Sequence, residues 1–248
     1  MARDEIFKKE DASREFQFDG KVADVFDDML NRSVPCYRMV IEMLTALLEK
    51  FLRNGDLVYD LGCSTGETVI ELARHLDRLD LKFTGIDNSP AMLNKARHKA
   101  EMYSLADRID FRQADIIDLD FSGAGAVIMN YTLQFIRPPR RREFLADLHG
   151  KIRPGGLLIL SEKVLCHDPE LNRAYIDFYL DFKRRNGYSE TEISRKREAL
   201  ENVLIPFSIK ENLDLLTEAG FTSCKTFFQW FNFASLVAVK RQGTDDHA

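Results

Sequence analysis

Several strand-like segments of this chain end in residues that could bind a nucleoside. The first, residues 57–61, runs directly into Gly62-Cys63-Ser64-Thr65-Gly66, a glycine-containing turn that is followed by a helical pattern. Glycine leaves room where a backbone must approach a ligand closely. The spacing does not meet the G-x-G-x-x-G pattern of a pyrophosphate-binding turn, so the loop suits an adenosyl ligand without phosphates.

The next three strand ends supply polar groups in the order that such a ligand needs. Asp87 follows the second strand, where its carboxylate can accept both hydroxyl hydrogens of a ribose, and Asn88 can flank the adenine. Asp115 and Ile116 follow the third strand. Asp115 can accept a hydrogen bond from the adenine amino group, and Ile116 can contact the face of the adenine ring. Asn130 ends the fourth strand, beside the reactive end of the ligand. Taken singly, Asp115 could merely cap a turn and Asn130 could satisfy a loop backbone.

The elements around these residues alternate between strand-like and helix-like patterns. This alternation favours a parallel sheet with helices on both faces. We therefore expect an α/β, Rossmann-like fold with a mostly parallel seven-stranded sheet. The strand-like segments are residues 57–61, 82–86, 109–114, 126–130 and 157–161, and the helix-like ones are residues 69–76, 91–103 and 141–152.

The ends of the chain extend this plan without adding a second domain, so residues 1–248 are expected to form one unit. Residues 1–54 are expected to be helical, with Ser33 capping a new helix. Residues 166–206 are rich in charge and aromatics and predict a helical lid inserted into the sheet domain. After a helix at 210–219, residues 223–231 and 235–239 predict an antiparallel hairpin at the sheet edge.

Arg197 stands out within the predicted lid. Ser189 and Glu192 form a capping-box pattern, so a helix should begin near residue 190. On that helix Arg197 lies only about 40° from Ile193, which puts a permanent cation among apolar positions. Such an arginine could pair internally with Glu201, one turn later, or it could grip a carboxylate on the ligand.

Composition limits the other functions. The 35 basic and 40 acidic residues give a net charge of −5, which disfavours direct binding of nucleic acid. The basic run at 137–142 could contact RNA, but a solvated helix start is commoner. The four cysteines are far apart and the five histidines lack ligand spacing, so we expect reduced thiols, a cytoplasmic protein and no metal. Neither a signal peptide nor a run of about 20 apolar residues is seen, which argues against a membrane protein.

An aromatic series near the C-terminus is the remaining feature. It comprises Phe227, Phe228, Trp230, Phe231 and Phe233. Aromatic side chains in an edge hairpin more often fill a core or an interface than stack on bases. We expect these residues to contribute to the core and to a homodimer surface.

The segments from residue 57 to residue 239 resemble the class I S-adenosylmethionine-dependent methyltransferase fold. Five stretches spread over the chain go further and resemble the carboxy-S-adenosyl-L-methionine synthase family. They are Ser33-Val34-Pro35-Cys36-Tyr37, residues 58–64, residues 86–92, Asn130-Tyr131-Thr132-Leu133-Gln134-Phe135 and Asn186-Gly187-Tyr188-Ser189-Glu190. One departure is Cys36, where the family often has glycine.

This resemblance implies an activity and a site. The family converts S-adenosyl-L-methionine and prephenate into carboxy-S-adenosyl-L-methionine and phenylpyruvate, and the product is the carboxymethyl donor for 5-oxyacetyl uridine at the tRNA wobble position. A functional link to a tRNA carboxymethyltransferase is implied as well. Tyr37 and Arg197 would hold the new carboxylate. The ligand contacts carried over by matching position are Tyr37, Gly62, Cys63, Ser64, Asp87, Asn88, Asp115, Ile116, Asn130 and Arg197.

The expected mechanism depends on enclosure. Prephenate would lose carbon dioxide inside the site, and the sulfonium methyl carbon, once deprotonated, would capture it under the lid and away from water. No side chain identifies itself as the base. Two other functions stay open: methyl transfer to a small carboxylate-bearing molecule, and a non-catalytic cofactor-binding regulator.

Overall fold

The computed structural model describes residues 3–9 and 16–241. Three helices precede the sheet: α1 (Ile6–Lys9), α2 (Gly20–Ser33) and α3 (Tyr37–Phe51). Ser33 ends α2 and does not cap α3, so that expectation is wrong. The residue before α3 is Cys36, which has a left-handed backbone (φ 56°) and makes no capping bond. This left-handed conformation favours glycine, so Cys36 adopts it at a cost in backbone strain.

The central sheet has the expected class I arrangement. Its strand order is β3-β2-β1-β4-β5-β8-β7, and the short β6 pairs with β5. Only β8 runs antiparallel to its neighbours, β5 and β7, which confirms the mostly parallel seven-stranded sheet and the C-terminal hairpin. The strands are β1 (Leu57–Leu61), β2 (Lys82–Asp87), β3 (Ile109–Gln113), β4 (Ala124–Asn130), β5 (Ile152–Leu165), β6 (Phe207–Ser208), β7 (Ser223–Trp230) and β8 (Phe233–Val239).

Helices cover both faces of this sheet. Successive strand residues point to opposite faces, so the core divides into two layers. Val58 and Ile128 belong to the layer under α3 and α4, whereas Leu61 and Met129 belong to the layer under α6 and α9. The remaining helices are α4 (Glu67–His75), α5 (Pro90–Met102), α6 (Pro138–Lys151), α7 (Pro169–Arg185), α8 (Glu190–Leu200) and α9 (Ile209–Glu218).

Two helices, α7 and α8, stand where the lid was predicted, between β5 and β6. The C-terminal aromatic series holds α7 in place: the rings of Phe178 and Phe231 lie 4.5 Å apart, and those of Tyr179 and Phe233 lie 5.0 Å apart. Phe227 and Phe228 pack against the core. The series therefore fastens the inserted helices to the sheet edge, a role that the sequence did not suggest.

Arg141 is the exception to the expected solvated basic run, since Arg137, Arg140 and Arg142 are exposed. The Arg141 side chain is only 1% exposed. The guanidinium donates to the carbonyl oxygens of Ile136, Gln134 and Ile205 at 2.9, 3.2 and 2.6 Å. Because Ile205 ends the inserted segment, Arg141 fastens that segment to the loop after β4. Within the described residues, no helix is both long and apolar enough to cross a membrane.

Gly62, directly after β1, has two reasons to be glycine. Its φ is +75°, and a Cβ atom there would lie 2.5 Å from Thr132 Cγ2. Gly123 has a similar φ of +72° but open space around the position of a Cβ atom. Alanine at Gly123 therefore introduces backbone strain alone, whereas alanine at Gly62 introduces both backbone strain and steric overlap.

We predict that Gly62→Ala lowers the free energy of unfolding more than Gly123→Ala does. The Gly123→Ala substitution should cost about 1–2 kcal/mol, from left-handed backbone strain alone. Overlap with Thr132 should add about 1–3 kcal/mol at Gly62. Urea unfolding of the two variants measures the difference, and equal losses would mean that Thr132 moves away freely.

Candidate active site

A cavity of about 660 Å³ opens over the carboxyl ends of β1, β2, β3 and β4, between the sheet and the helices α2, α7 and α8. Its volume is in the usual range of small-molecule sites. Every site residue predicted from the sequence lines it: Tyr37, Gly62, Cys63, Ser64, Asp87, Asn88, Asp115, Ile116, Asn130 and Arg197.

The turn after β1 forms the floor of the cavity. The backbone N–H groups of Gly62 and Cys63 both donate to the Ile86 carbonyl, at 2.8 and 2.9 Å, which ties the turn to β2. Ser64 has a left-handed backbone (φ 49°). Burial raises the pKa of the Cys63 thiol well above its ordinary value, so this thiol stays protonated.

Asp87, at the end of β2, shapes this floor. One carboxylate oxygen accepts from the Ser64 N–H and the other from the Ser89 N–H, both at 2.9 Å. A carboxylate has about four acceptor positions, so some acceptor capacity remains for ligand hydroxyls. Burial raises its pKa although these N–H groups oppose the shift.

Asp115, after the third strand, has both roles considered from the sequence: it caps a turn and it lines the site. Asp115 caps a short 3-10 turn by accepting from the Ile117 N–H at 3.0 Å. It also lines the cavity, together with Ile116 and the exposed Asn88. Capping uses one oxygen and leaves the other to a ligand, so the two roles are compatible.

Asn130 and Tyr37 meet at Thr68, a buried residue of α4. The Asn130 amide donates to the Thr68 hydroxyl at 3.1 Å, and the same hydroxyl bonds to Tyr37. Asn130 therefore does not serve a loop backbone. Among the described residues, Asn130 Oδ1 and the Tyr131 hydroxyl are buried without a hydrogen-bond partner. Unsatisfied buried polar atoms are rare, and both of these belong to residues that line the cavity.

Arg197 lies at the cavity but is exposed, not buried as its place in the apolar stripe suggested. The buried residues of α8 include Ile193 and Lys196, so the cation that faces inward on this helix is Lys196 and not Arg197. No ion pair joins Arg197 to Glu201 in the part of the chain that the structure describes. The guanidinium is thus free to meet a ligand. No group of His, Cys, Asp and Glu within the described ranges could hold a metal ion.

Comparison with known proteins explains this arrangement. A profile described as a methyltransferase domain matches residues 58–156. The chain is 52% identical to a carboxy-S-adenosyl-L-methionine synthase from Desulfotalea psychrophila, over 97% of this chain and 98% of that protein. Proteins of the same name from Wolinella succinogenes and Nautilia profundicola are 46% and 44% identical, over 96% of this chain and 98% and 99% of theirs.

The chain belongs to the carboxy-S-adenosyl-L-methionine synthase family. Solved structures show the fold alone. An O-methyltransferase family protein from Burkholderia thailandensis matches with a TM-score of 0.70 at 18% identity, over 91% of this chain and 61% of that one. Human N-acetylserotonin methyltransferase matches with a TM-score of 0.62 at 18% identity, over 90% of this chain and 56% of that one.

Sequence reasoning missed Asp60, although it lines the cavity of this synthase-family chain. It lies inside the buried strand β1, is 2% exposed, and leaves Oδ2 without a partner among the described residues. Burial, helped by the nearby charge of Asp87, raises the pKa of Asp60 from 3.8 to about 7. The signal in the sequence was a single carboxylate within the otherwise apolar strand β1.

Asp60 should make stability depend on pH. Its pKa is higher in the folded than in the unfolded chain, so between about pH 4 and 7 the folded state binds more protons, and stability falls as pH rises. Relative to Asp60→Asn, the wild type should lose up to about 1.4 kcal/mol per pH unit in that window. Urea unfolding of both proteins at several pH values tests this. Asp120→Asn, at an exposed aspartate, is the control. A difference between wild type and Asp60→Asn that does not change with pH would contradict the prediction.

Proposed function

We propose that this chain makes carboxy-S-adenosyl-L-methionine from S-adenosyl-L-methionine and prephenate, with phenylpyruvate and water released. The observation that carries the proposal is the convergence of all ten carried-over ligand positions on one cavity. They come from the N-terminal helices, four strand ends and the inserted helix α8. A family resemblance confined to sequence would not require them to meet.

The described residues fit S-adenosyl-L-methionine. Asp87 retains acceptor capacity for the ribose, and Ile116 offers an apolar contact for the adenine. Asp60 and Asn130 each hold a buried oxygen without a protein partner. These oxygens suit the positive end of the ligand, because an acceptor stripped of water gains most from a cation or an N–H donor. When bound, S-adenosyl-L-methionine supplies the methyl carbon that becomes carboxylated.

Arg197 and Tyr37 distinguish a carboxylating site from a methylating one. A guanidinium beside a sulfonium is repulsive, but a carboxylate on the product reverses the sign of that interaction. Burial raises the pKa of the Tyr37 hydroxyl, so it remains a hydrogen-bond donor. We assign to this pair the binding of the new carboxylate, and to α7 and α8 the exclusion of water while carbon dioxide is present.

The wider setting belongs to the same proposal. The chain acts in the cytoplasm as a homodimer, without direct contact to nucleic acid, and its product serves a tRNA carboxymethyltransferase. Phe178 and Phe231 support the dimer: they touch each other yet are 45% and 37% exposed. A neighbouring subunit would cover such an apolar pair.

Mass spectrometry tests the activity directly. Purified protein incubated with S-adenosyl-L-methionine and prephenate should yield a molecule heavier than S-adenosyl-L-methionine by one carbon dioxide, with an equal amount of phenylpyruvate. Omitting prephenate should abolish the product. If S-adenosylhomocysteine forms when other small carboxylates are supplied, while prephenate is not consumed, methyl transfer is the correct reading.

Arg197→Ala should weaken binding of carboxy-S-adenosyl-L-methionine by about 10- to 100-fold, since a charge-assisted hydrogen bond contributes roughly 1.5–3 kcal/mol. Binding of S-adenosyl-L-methionine should change little. Arg173→Ala, an exposed arginine of α7 that is absent from the cavity lining, is the matched control. Titration calorimetry with each ligand measures the effect, and equal weakening of both ligands would contradict the assignment.

A further inference from the structure

Three lysines from three different elements line the cavity beside Arg197: Lys163 of β5, Lys183 of α7 and Lys196 of α8. The predicted mechanism gives them no role. Lys183 and Lys196 are each only 5% exposed, and Lys163 is partly buried. Lysine is almost never buried without a partner, so the cluster requires an explanation.

The partners of the three lysines differ. Lys196 donates to the Ser33 hydroxyl at 3.0 Å and lies 3.7 Å from an Asp4 carboxylate oxygen. Among the described residues, Lys163 and Lys183 form no ion pair and no side-chain hydrogen bond. Their side-chain nitrogen atoms lie 5.2 and 4.8 Å from the centre of the same aromatic ring, that of Tyr179.

Charge makes this arrangement costly in the absence of a ligand. Burial lowers the pKa of Lys183 well below its ordinary value, and the charges of Lys196 and Lys163 lower it further. Burial and the charge of Arg197 lower the pKa of Lys163. Contact with one aromatic ring does not compensate for two neighbouring cations that have lost their water. An anion bound in the cavity would compensate for both cations.

We propose that Lys163 and Lys183 bind the side-chain carboxylate of prephenate, the one that remains in phenylpyruvate. This inference rests on the proposed function. It adds a second anion site to the one assigned to Arg197 and Tyr37, so that the substrate is held at the end that does not react.

The chemistry selects which carboxylate the lysines hold. The ring carboxylate of prephenate leaves as carbon dioxide, and cations that stabilised its charge would stabilise the ground state and slow its loss. The side-chain carboxylate keeps its charge throughout, so binding it lowers the energy of substrate and transition state alike. Such binding orients the ring without opposing decarboxylation.

The test uses Lys163→Met and Lys183→Met, which keep side-chain length and remove charge. Each should raise the KM for prephenate by about 10-fold or more, as expected for loss of a charge-assisted bond. Affinity for phenylpyruvate, which carries the same carboxylate, should fall by a similar factor in calorimetric titration. Affinity for S-adenosyl-L-methionine should stay within about twofold. Lys225→Met, an exposed lysine of β7, is the matched control.

A stability measurement checks whether the variants fold. Lys183→Met should raise the melting temperature by about 2–4 °C, because it removes a buried cation that lacks a partner. An unchanged KM for prephenate together with unchanged phenylpyruvate affinity would overturn the proposal. So would a selective loss of S-adenosyl-L-methionine affinity, which would assign the lysines to the amino-acid carboxylate of that ligand.

Failure of the proposed function is distinguishable from failure of this inference. If the wild type makes no carboxy-S-adenosyl-L-methionine, the synthase activity is wrong. Titration with phenylpyruvate still decides the lysine site: binding that the Lys163 and Lys183 variants lose upholds a carboxylate site, and no binding to the wild type overturns it.

Discussion

The hydrogen bond from the Ser64 N–H to the Asp87 carboxylate joins the turn after β1 to the end of β2. It requires the turn to lie close to the sheet, and that closeness is possible only because Gly62 has no side chain where Thr132 packs. The floor of the cavity therefore depends on one backbone-to-carboxylate contact and one missing methyl group. Moving the turn outward would separate Asp87 from Ser64 and remove the surface on which a nucleoside can lie.

A second network holds the N-terminal helices against this floor. Thr65 donates to Asp27 of α2 at 2.6 Å, and Lys99 of α5 contacts both Asp27 and Glu67 at 2.9 Å. These groups are largely shielded from solvent, so the ion pairs are screened less than surface pairs. Helix α2, which supplies one wall of the cavity, is thus attached through polar contacts to the turn that forms its floor.

The cavity wall carries polar groups that the protein itself does not satisfy. Among the described residues, Asp60 and Asn130 each have an oxygen without a hydrogen-bond partner, and the buried amine of Lys183 forms no ion pair. Each lowers the stability of the free chain and each would be compensated by a ligand of opposite character. Their arrangement is also ordered: the acceptors lie on β1 and β4, whereas the cations lie on β5, α7 and α8. This separation matches a cationic ligand bound beside an anionic one, and it links the cost in stability to function.

Local patterns in the sequence determined the alternation of strands and helices, the order of the polar strand ends and the capping box before α8, because each depends on neighbours within a few residues. The predicted strand 57–61 coincides with β1, and all ten proposed contacts meet at one cavity. Tertiary packing decided the rest. A period of 3.6 residues could not tell whether Lys196 or Arg197 would face inward, since adjacent positions compete for the same edge of an apolar stripe. The burial of Arg141 depends on its contact with Ile205, which is distant in the chain. Lys163 and Lys183 come together only because Tyr179 of α7 packs against the sheet edge.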